Sequence, residues 1–280
     1  MYTIRKKQEL GPQVKEYVVE APLVAKAAKA GQFVVVRLHE RGERIPLTLA
    51  DWDPKGGTIT LVVQEVGKTT QELGDCFGVG DALLDVVGPL GEPSEIDRYG
   101  TVVCVAGGVG IAPIHPIARA LKGAGNHVIG IAGARTQALL FWLDRLREVT
   151  DELIVTTDDG SHGRKGLVTE PLKELLATRK VDRVWAIGPA VMMKFCSLAC
   201  QEAGVPVTVS LNPIMVDGTG MCGACRAEVD GQVRFACVDG PEFPGEKVNW
   251  DLLIARLSAF KEEERCALER YRQLIKEATS

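Results

Sequence analysis

Residues 2 to about 97 show short apolar or alternating runs, rich in β-branched side chains and separated by turn residues. Such runs are typical of β-strands, because branched side chains pack well on a pleated surface. Several short strands at this spacing predict a small antiparallel barrel. The strand candidates are 17–20, 33–38, 58–63 and 82–87. Between the last two, residues 67–73 predict a loop entering a short helix, with a threonine available as its cap.

After Gly100 the pattern changes to apolar strands that alternate with helical stretches. This alternation predicts an open, five-stranded parallel sheet with helices on both faces. The predicted strands are 101–105, 127–132, 152–157, 183–187 and 206–210, and the predicted helices are 112–122, 136–148, 168–178 and 190–203. Ligands of such sheets bind at the carboxyl ends of the strands. The candidate loops are therefore 106–113, 133–136, 158–163 and 188–189.

The first of these loops contains Gly107, Gly108, Val109 and Gly110, and it opens a helix with Pro113 in its first turn. Glycines let a backbone approach a pyrophosphate, and a helix N-terminus offers free N–H groups. The run differs from Gly-x-Gly-x-x-Gly, so a turn needed only for helix–sheet packing is an open alternative.

Residues 249–280 predict one helix, because apolar side chains recur at helical spacing on both sides of a charged run. Two interpretations are open. The helix packs on the chain's own domains, or it binds a partner protein.

Four candidate metal ligands lie close together in the sequence. Asp217, Cys222 and Cys225 are on one glycine-rich loop, and Cys237 follows it. The spacing Asp-x4-Cys-x2-Cys-x11-Cys matches a [2Fe–2S] ligand pattern in which aspartate replaces the first cysteine. The intervening glycines can adopt positive φ and direct backbone N–H groups towards a negative cluster. A structural zinc site with the same four ligands and a disulfide-linked loop are the alternatives.

Composition narrows the class of protein. The chain has 280 residues, of which 46% are hydrophobic and 25% charged, so it is long enough for two globular domains. A net charge of -4 without a basic cluster makes nucleic acid an unexpected partner. We expect no membrane span, because no stretch approaches ~18 apolar residues, and the polar N-terminus indicates a cytoplasmic protein. Cys104, Cys196 and Cys200 are predicted to be core thiols.

A barrel, a nucleotide domain and a C-terminal cysteine loop, in this order, resemble the ferredoxin–NADP reductase superfamily. Within it, the chain is similar to the electron-transfer subunits of dihydroorotate dehydrogenases. It is closer to the small subunits of electron-bifurcating NADH-dependent ferredoxin:NADP oxidoreductases, also called sulfide dehydrogenases, because Asp217 replaces the first cluster cysteine. The resemblance covers nearly the whole chain. It implies these domains: 1–97, an FAD-binding barrel; 98–212, an NAD(P)-binding α/β domain; 213–246, a [2Fe–2S] subdomain; and 247–280, a C-terminal helix.

The resemblance also implies a flavin site. Residues 44–48, Arg-x-Pro-x-Thr, are similar to the flavin motif of the superfamily, although one residue longer. By this likeness Arg44 would pair with the FAD pyrophosphate and Thr48 would approach the reactive flavin edge, with Pro46 and Leu47 between them. An exposed hairpin charge is the alternative for Arg44. The remaining implied contacts are the phosphate loop Gly67, Lys68, Thr69 and Thr70 and the ring-lining backbone of Leu61, Val62 and Val63.

In the second domain the resemblance assigns residues 107–110 to a nicotinamide dinucleotide. It sets Arg135 near the adenosine ribose or its phosphate, and Asp158 and Asp159 near the cofactor. An acidic pair favours a free 2′-hydroxyl, while an arginine tolerates a 2′-phosphate. The resemblance favours NAD(H) here, with NADP(H) on the partner.

The implied activity is an oxidoreductase relay from NADH through FAD and the cluster to a larger flavin and [4Fe–4S] subunit, which would serve ferredoxin. Hydride transfer to flavin needs no protein acid or base, so no catalytic residue is predicted. Two alternatives stay open. One is a subunit of a related reductase, such as a dihydroorotate dehydrogenase or a sulfhydrogenase. The other is a zinc-stabilised nucleotide-binding module without a redox role.

Overall fold

The computed structural model describes residues 1–279. Its N-terminal part is an antiparallel barrel, which confirms the predicted architecture. The elements are β1 Tyr2–Gly11, β2 Val14–Glu20, α1 Pro22–Ala27, β3 Phe33–Arg37, β4 Arg44–Asp53, β5 Thr58–Gln64, α2 Lys68–Cys76, β6 Ala82–Leu83 and β7 Asp85–Leu90. The strand order is β6-β1-β2-β5-β4-β3-β7. The long strand β4 bends from one neighbour to the other, pairing with β3 through its first half and with β5 through its second.

The second part is a mostly parallel sheet with helices on both faces. The five predicted strands are confirmed, and they lie side by side as the third, second, first, fourth and fifth along the chain. The elements are β8 Thr101–Gly107, α3 Ile111–Gly123, β9 His127–Ala134, α4 Leu143–Val149, β10 Glu152–Thr157, β11 Arg164–Lys165, α5 Thr169–Thr178, β12 Arg183–Ile187, α6 Ala190–Glu202 and β13 Val207–Ser210.

Two strands extend this sheet beyond the predicted five. The short strand β11 pairs with β10 at one edge. At the other edge β16, Glu242–Pro244, runs antiparallel to β13. Because β16 follows the cysteine loop in sequence, the segment that carries the loop is anchored to the parallel sheet. The hairpin β14 Arg226–Val229 and β15 Gln232–Phe235 lies between the loop and this anchor.

The prediction of a helix over 136–148 was wrong in its first half. A short 3-10 turn spans Gln137–Leu139, and α4 begins only at Leu143. Trp142 is in the left-handed region, with φ 54° and ψ 22°, so a helix cannot run through it. Its indole N–H donates to Glu16 Oε2 of the barrel at 3.0 Å, and this tertiary contact overrides local helix propensity.

The C-terminal prediction of one helix was also wrong, since two helices form. The first, α7 Trp250–Leu257, is capped at its N-terminus by Asn249, whose side chain accepts the Leu252 N–H at 3.1 Å. It ends at Ser258, whose hydroxyl donates to the Ala255 carbonyl at 2.8 Å and competes with continued helix. The second helix, α8 Lys261–Thr279, follows after a short break. Residue 280 lies outside the described range.

Both C-terminal helices pack on the chain's own domains, as one of the two interpretations held. Trp250 and Leu253 of α7 lie in the core beneath the cysteine loop. On α8, the buried Tyr271 donates to Asp75 Oδ2 at 3.2 Å, and Arg272 Nε donates to Gln71 Oε1 at 2.9 Å. Both acceptors belong to α2.

The buried cysteines pack as predicted. Cys104, Cys196 and Cys200 are fully buried among apolar side chains. Burial raises the pKa of the Cys104 and Cys200 thiols to about 12, which keeps them protonated and inert. No helix within residues 1–279 has the length and apolar character that a membrane span requires.

Candidate redox site

The inner half of the cysteine loop brings two thiols together. Cys225 Sγ and Cys237 Sγ lie 3.2 Å apart as free cysteines, and both are buried. Burial and the neighbouring Cys225 thiol raise the pKa of Cys237 to about 11. Two thiolates on one tetrahedral ion lie about 3.8 Å apart, given metal–sulfur bonds of about 2.3 Å. The two sulfurs can therefore bind one metal ion once they have moved slightly apart.

The outer half of the loop holds the other two predicted ligands. The Cys222 thiol is exposed, and the backbone N–H groups of Ala224 and Asp217 lower its pKa. Asp217 accepts hydrogen bonds from the hydroxyl and the N–H of Thr219, which lower the pKa of its carboxyl group. The negative charge of Asp217 opposes the effect of the N–H groups by raising the pKa of Cys222. These two ligands form a second neighbouring pair.

The backbone of this loop is shaped by glycine. Gly218, Gly220 and Gly223 have φ of 83°, 85° and 67°, a region that other residues rarely enter. The resulting turns direct N–H groups inwards. The Gly220 N–H acts to lower the pKa of the Cys237 thiol, as the N–H groups of Asp217 and Ala224 do for the pKa of Cys222. Such donors stabilise negative sulfur.

The four predicted ligands thus form two pairs: Asp217 with Cys222 in the glycine-rich loop, and Cys225 with Cys237, which lie on either side of the β14–β15 hairpin. Within residues 1–279, no three His, Cys, Asp or Glu side chains converge as ligands of a single metal ion. A tetrahedral zinc site requires four ligands around one point. A binuclear cluster requires two protein ligands on each of two irons. Three thiols and one carboxylate arranged as two pairs fit a [2Fe–2S] cluster, with one pair for each iron.

The predicted flavin motif lies on the outer face of the barrel. Ile45 and Leu47 pack against the barrel core, so alternation along β4 turns Arg44, Pro46 and Thr48 to the opposite face. Arg44 is exposed at the start of the strand. Its charge contributes to lowering the pKa of Asp217, after the hydrogen bonds from Thr219. A cation of the flavin motif and a ligand of the cysteine loop therefore lie within electrostatic reach.

The neighbouring strand β3 joins the flavin motif to the cysteine loop. Phe33 lies opposite Thr48, and Val35 lies opposite Pro46. Opposed residues on paired strands share one face of the sheet. Phe33 and Val35 belong to the same buried core as Cys225 and Cys237. Sequence analysis missed these two residues. The uninterrupted apolar run from Phe33 to Val36 was the available signal, because it indicates a strand buried on both faces.

The wall of the barrel opens beside β5. Strand β4 pairs with β5 only up to Leu61, whereas β2 continues along it to Gln64. Val62 and Val63 therefore pair on one side only. The backbone of Val62 and Val63 on the other side is therefore available to a ligand, whereas Leu61 is paired on both sides.

The predicted phosphate loop does begin a helix, but the capping prediction was wrong. The N-cap of α2 is Gly67, and no threonine occupies that position. The Thr70 hydroxyl reaches back to accept the Gly67 N–H at 3.0 Å, and the Thr69 hydroxyl donates to Glu43. Both hydroxyls are thus occupied, and the first amides of the helix, from Lys68 onwards, are the groups left for a phosphate.

The glycine run 107–110 forms a tight turn between β8 and α3. A side chain at Gly110 would meet the Ile187 carbonyl oxygen at 2.1 Å, so only glycine permits this packing. Gly108, by contrast, faces open space at φ 55°, where a ligand can approach the backbone. The turn contacts β5, and Val109 packs in the same core as Val62. It therefore adjoins the open edge of the barrel wall.

The other predicted dinucleotide residues lie at adjacent strand ends. Arg135 follows β9, and Asp158 and Asp159 follow β10; all three are exposed. The Asp159 N–H donates to the Arg135 carbonyl at 3.3 Å, which joins the two loops. The hydroxyl of Ser161, followed by its N–H, lowers the pKa of the Asp159 carboxyl. The exposed Arg135 and the exposed Asp158 and Asp159 thus lie on adjoining loops at the carboxyl edge of the sheet.

Comparison with known proteins agrees with this geometry. The family model of the iron–sulfur cluster binding domain of dihydroorotate dehydrogenase B matches residues 212–249. A Thermotoga maritima homologue of the dihydroorotate dehydrogenase B (NAD(+)) electron transfer subunit is 56% identical over 96% of this chain and 94% of its own. The corresponding subunit of Desulforamulus reducens is 34% identical over 83% of this chain and 91% of its own.

The chain is also similar to a solved structure of the NADH-dependent reduced ferredoxin-NADP oxidoreductase, which is described as giving insight into flavin-based electron bifurcation. It shares 55% identity with this chain, covers 97% of it and 98% of its own length, and superimposes with a TM-score of 0.92. The resemblance drawn from the sequence is confirmed. The chain therefore belongs to the family of dihydroorotate dehydrogenase B electron transfer subunits and their homologues.

Proposed function

We propose that the chain is the electron-transfer subunit of a flavin-dependent oxidoreductase, passing electrons between NAD(H), FAD and a [2Fe–2S] cluster to a larger partner subunit. The observation that carries this proposal is the junction around β3 and β5. Phe33 and Val35 link the flavin motif to Cys225 and Cys237, while Val62 links the barrel opening to the dinucleotide turn. Three candidate cofactor sites thus adjoin one another.

The flavin would be held by contacts with the barrel. Arg44 would neutralise the pyrophosphate with a permanent charge, and the first turn of α2 would bind a phosphate oxygen through its N–H groups. The unpaired backbone beside Val62 would bond to the ring edge, while Thr48 faces the same side. The residues proposed to hold FAD are Arg44, Pro46, Leu47, Thr48, Leu61, Val62, Val63, Gly67, Lys68, Thr69 and Thr70. Because the side chains of Leu47, Leu61 and Val63 pack in the barrel core, these three would contribute backbone groups only.

The cluster would be held by the two ligand pairs. Cys225 and Cys237 would bind one iron, and Asp217 and Cys222 the other. Backbone N–H groups of the glycine-rich turns would donate to the sulfurs and stabilise added negative charge. FAD, when bound, supplies the exchange between two-electron hydride chemistry and the one-electron chemistry of iron. The protein's part is to align the sites and keep water from them.

The dinucleotide would bind along the carboxyl edge of the parallel sheet. Residues 107–110 would contact the pyrophosphate through backbone N–H groups, and Arg135, Asp158 and Asp159 would meet the adenosine ribose. A carboxylate beside the ribose favours the free 2′-hydroxyl of NAD(H) over a 2′-phosphate. NADP(H) and ferredoxin would then react on the partner subunit.

The domain roles proposed from the sequence are retained as part of this proposal. Residues 1–97 would bind FAD, 98–212 the dinucleotide and 213–246 the cluster, with 247–280 as a C-terminal helical segment. The strand β16 pairs with the nucleotide-binding sheet, so the cluster segment would share its anchorage with the second domain.

For the partner, we propose the larger flavin and [4Fe–4S] subunit of a bifurcating NADH-dependent ferredoxin:NADP oxidoreductase. The solved relative with 55% identity supports this choice, as does aspartate at position 217. A dihydroorotate dehydrogenase is the second candidate, supported by the names of the curated relatives. Purification of the native complex separates the two, because a second subunit with [4Fe–4S] clusters would support the first candidate and dihydroorotate oxidation by the complex would support the second.

Anaerobic titration with NADH tests the electron relay. The purified chain is expected to show flavin and iron–sulfur absorbance, and NADH should bleach the flavin bands within the mixing time of a manual experiment. NADPH at the same concentration should act more slowly. A colourless, zinc-containing protein, or a flavin that NADH leaves oxidised, would contradict the proposal.

Replacing Asp217 with cysteine tests the fourth ligand. The variant is expected to retain two irons per chain but to lower the reduction potential of the cluster, because a thiolate donates more electron density than a carboxylate. Redox titration followed by electron paramagnetic resonance measures the shift. Asp230→Asn, an exposed change on the β14–β15 hairpin, is the control. A potential equal to that of the control would show that Asp217 does not bind the cluster.

A further inference from the structure

A buried carboxylate connects the barrel to the nucleotide-binding domain. The side chain of Glu16, on β2, is 2% exposed. Trp142 Nε1 donates to its Oε2 at 3.0 Å, and Arg145 approaches the same oxygen at 3.4 Å. Lys6 donates to the other oxygen at 2.8 Å. Two of these three partners come from the second domain, so the contact joins the barrel to that domain, in addition to the Arg119–Asp51 ion pair and the core that α3 shares with the barrel.

The tryptophan in this contact is held in an unfavourable conformation. Trp142 has φ 54°, which bulky side chains rarely adopt. The Arg145 guanidinium lies 4.2 Å from the centre of its ring, and the His115 ring meets its edge at 5.5 Å. Strained residues persist where the surrounding structure determines them and where function gains from a fixed geometry.

The contact lies next to both sites of the proposed hydride transfer, the flavin site and the nicotinamide dinucleotide site. On the barrel side, Glu16 lies opposite Val62 of β5, at the open edge proposed for the flavin ring. On the other side, His115 belongs to α3, the helix that the Gly107–Gly110 turn opens. Trp142 therefore connects β2, the strand paired with the proposed flavin strand β5, to α3, the helix that follows the proposed dinucleotide turn.

We propose that the Glu16–Trp142 hydrogen bond is a positioning contact that sets the nicotinamide against the flavin. The inference rests on the proposed function. With both cofactors bound, one hydride, two electrons with one proton, would pass from the nicotinamide to the flavin, oxidising the nucleotide and reducing the flavin. Such a step requires the reacting atoms at about 3–3.5 Å, so a small change in domain orientation slows it.

The test compares Trp142→Phe with Trp250→Phe in single-turnover flavin reduction by NADH. Both changes keep an aromatic ring and delete one indole hydrogen bond of 3.0 Å, but Trp250 donates to Gly245 within the C-terminal part. Trp142→Phe is expected to slow flavin reduction about tenfold, within the loss that a misplacement of about 1 Å causes. NADH affinity, FAD content and iron content should stay at wild-type values, and Trp250→Phe should reduce its flavin at the wild-type rate.

Glu16→Gln keeps the shape of the acceptor and provides a second, milder variant. A neutral amide oxygen accepts the indole N–H more weakly than a carboxylate does, so the contact is weakened and the rate should fall between the wild-type and Trp142→Phe values. If Trp142→Phe loses FAD or fails to fold, a slowed Glu16→Gln enzyme with full FAD content supports the proposal, and a wild-type rate overturns it.

The long-wavelength absorbance of the nicotinamide–flavin complex gives an independent readout. It depends on ring stacking and should weaken in Trp142→Phe but persist in Trp250→Phe. A wild-type rate and band in Trp142→Phe would overturn the positioning role alone. Absence of flavin reduction in the wild-type protein would overturn the proposed function and this inference with it.

Discussion

Replacing Cys225 with serine is expected to abolish the iron–sulfur cluster while leaving FAD bound. Cys225 is buried and lies 3.2 Å from Cys237, so its loss removes half of the inner ligand pair. A hydroxyl is a much poorer ligand for iron than a thiolate. Iron should fall from about two per chain to near zero, with parallel loss of sulfide and of the cluster absorbance.

The control for this change is Cys266→Ser. Cys266 lies on α8, away from the loop, and its substitution should leave iron, sulfide and FAD unchanged. Cys222→Ser should also remove the cluster and spare FAD, because the flavin motif and the cysteine loop belong to different segments. Retention of the cluster in Cys225→Ser would contradict the assignment of the inner pair. Loss of FAD together with iron would contradict the separation of the two sites.

Replacing Arg44 with alanine is expected to weaken FAD binding more than any other single change in the barrel. Arg44 is exposed on the face that also carries Thr48, and it would provide charge-assisted hydrogen bonds to the pyrophosphate. Such bonds contribute about 1.5–3 kcal/mol, so the dissociation constant of FAD should rise about 10- to 150-fold. Fluorescence recovery of released flavin measures it directly.

Arg41→Ala is the matched control, since it removes an equally exposed arginine three residues earlier. Its FAD affinity should equal that of the wild-type protein, and both variants should retain the cluster. Equal affinity in Arg44→Ala would indicate that Arg44 is only a surface charge, which was the alternative from the sequence. A parallel loss of iron would indicate instead that the loop around Asp217 depends on Arg44 for its fold.

Strands and most helices of the second domain could be predicted because each is a separate periodic unit. Glycines and prolines separate the apolar runs, and the five predicted strands agree with β8, β9, β10, β12 and β13 within about two residues. The helix at 136–148 was mispredicted for a different reason. Its local pattern is helical, but the contact between Trp142 and Glu16 is formed by residues 126 positions apart and leaves no local signal.

The ligand set could be predicted from spacing, whereas its arrangement could not. The register of Asp217, Cys222, Cys225 and Cys237 identifies four candidate donors on one loop. Their division into two pairs depends on three positive-φ turns at glycine, which sequence permits but does not require.

The adjacency of flavin motif and cysteine loop could not be predicted either, except through the resemblance. It depends on which core each face of β3 joins. Phe33 and Val35 face the cysteine loop, whereas Val34 and Val36 face the barrel interior. All four are apolar, so no hydrophobic pattern distinguishes the two directions.

Metal and sulfide analysis of the purified chain tests the central claim most directly. The claim is that one loop holds a [2Fe–2S] cluster beside a flavin. The measurement should give two irons, two acid-labile sulfides and no zinc per chain. One zinc per chain without sulfide would contradict the account, because a single ion would then occupy the four ligands and no electron path would leave the flavin.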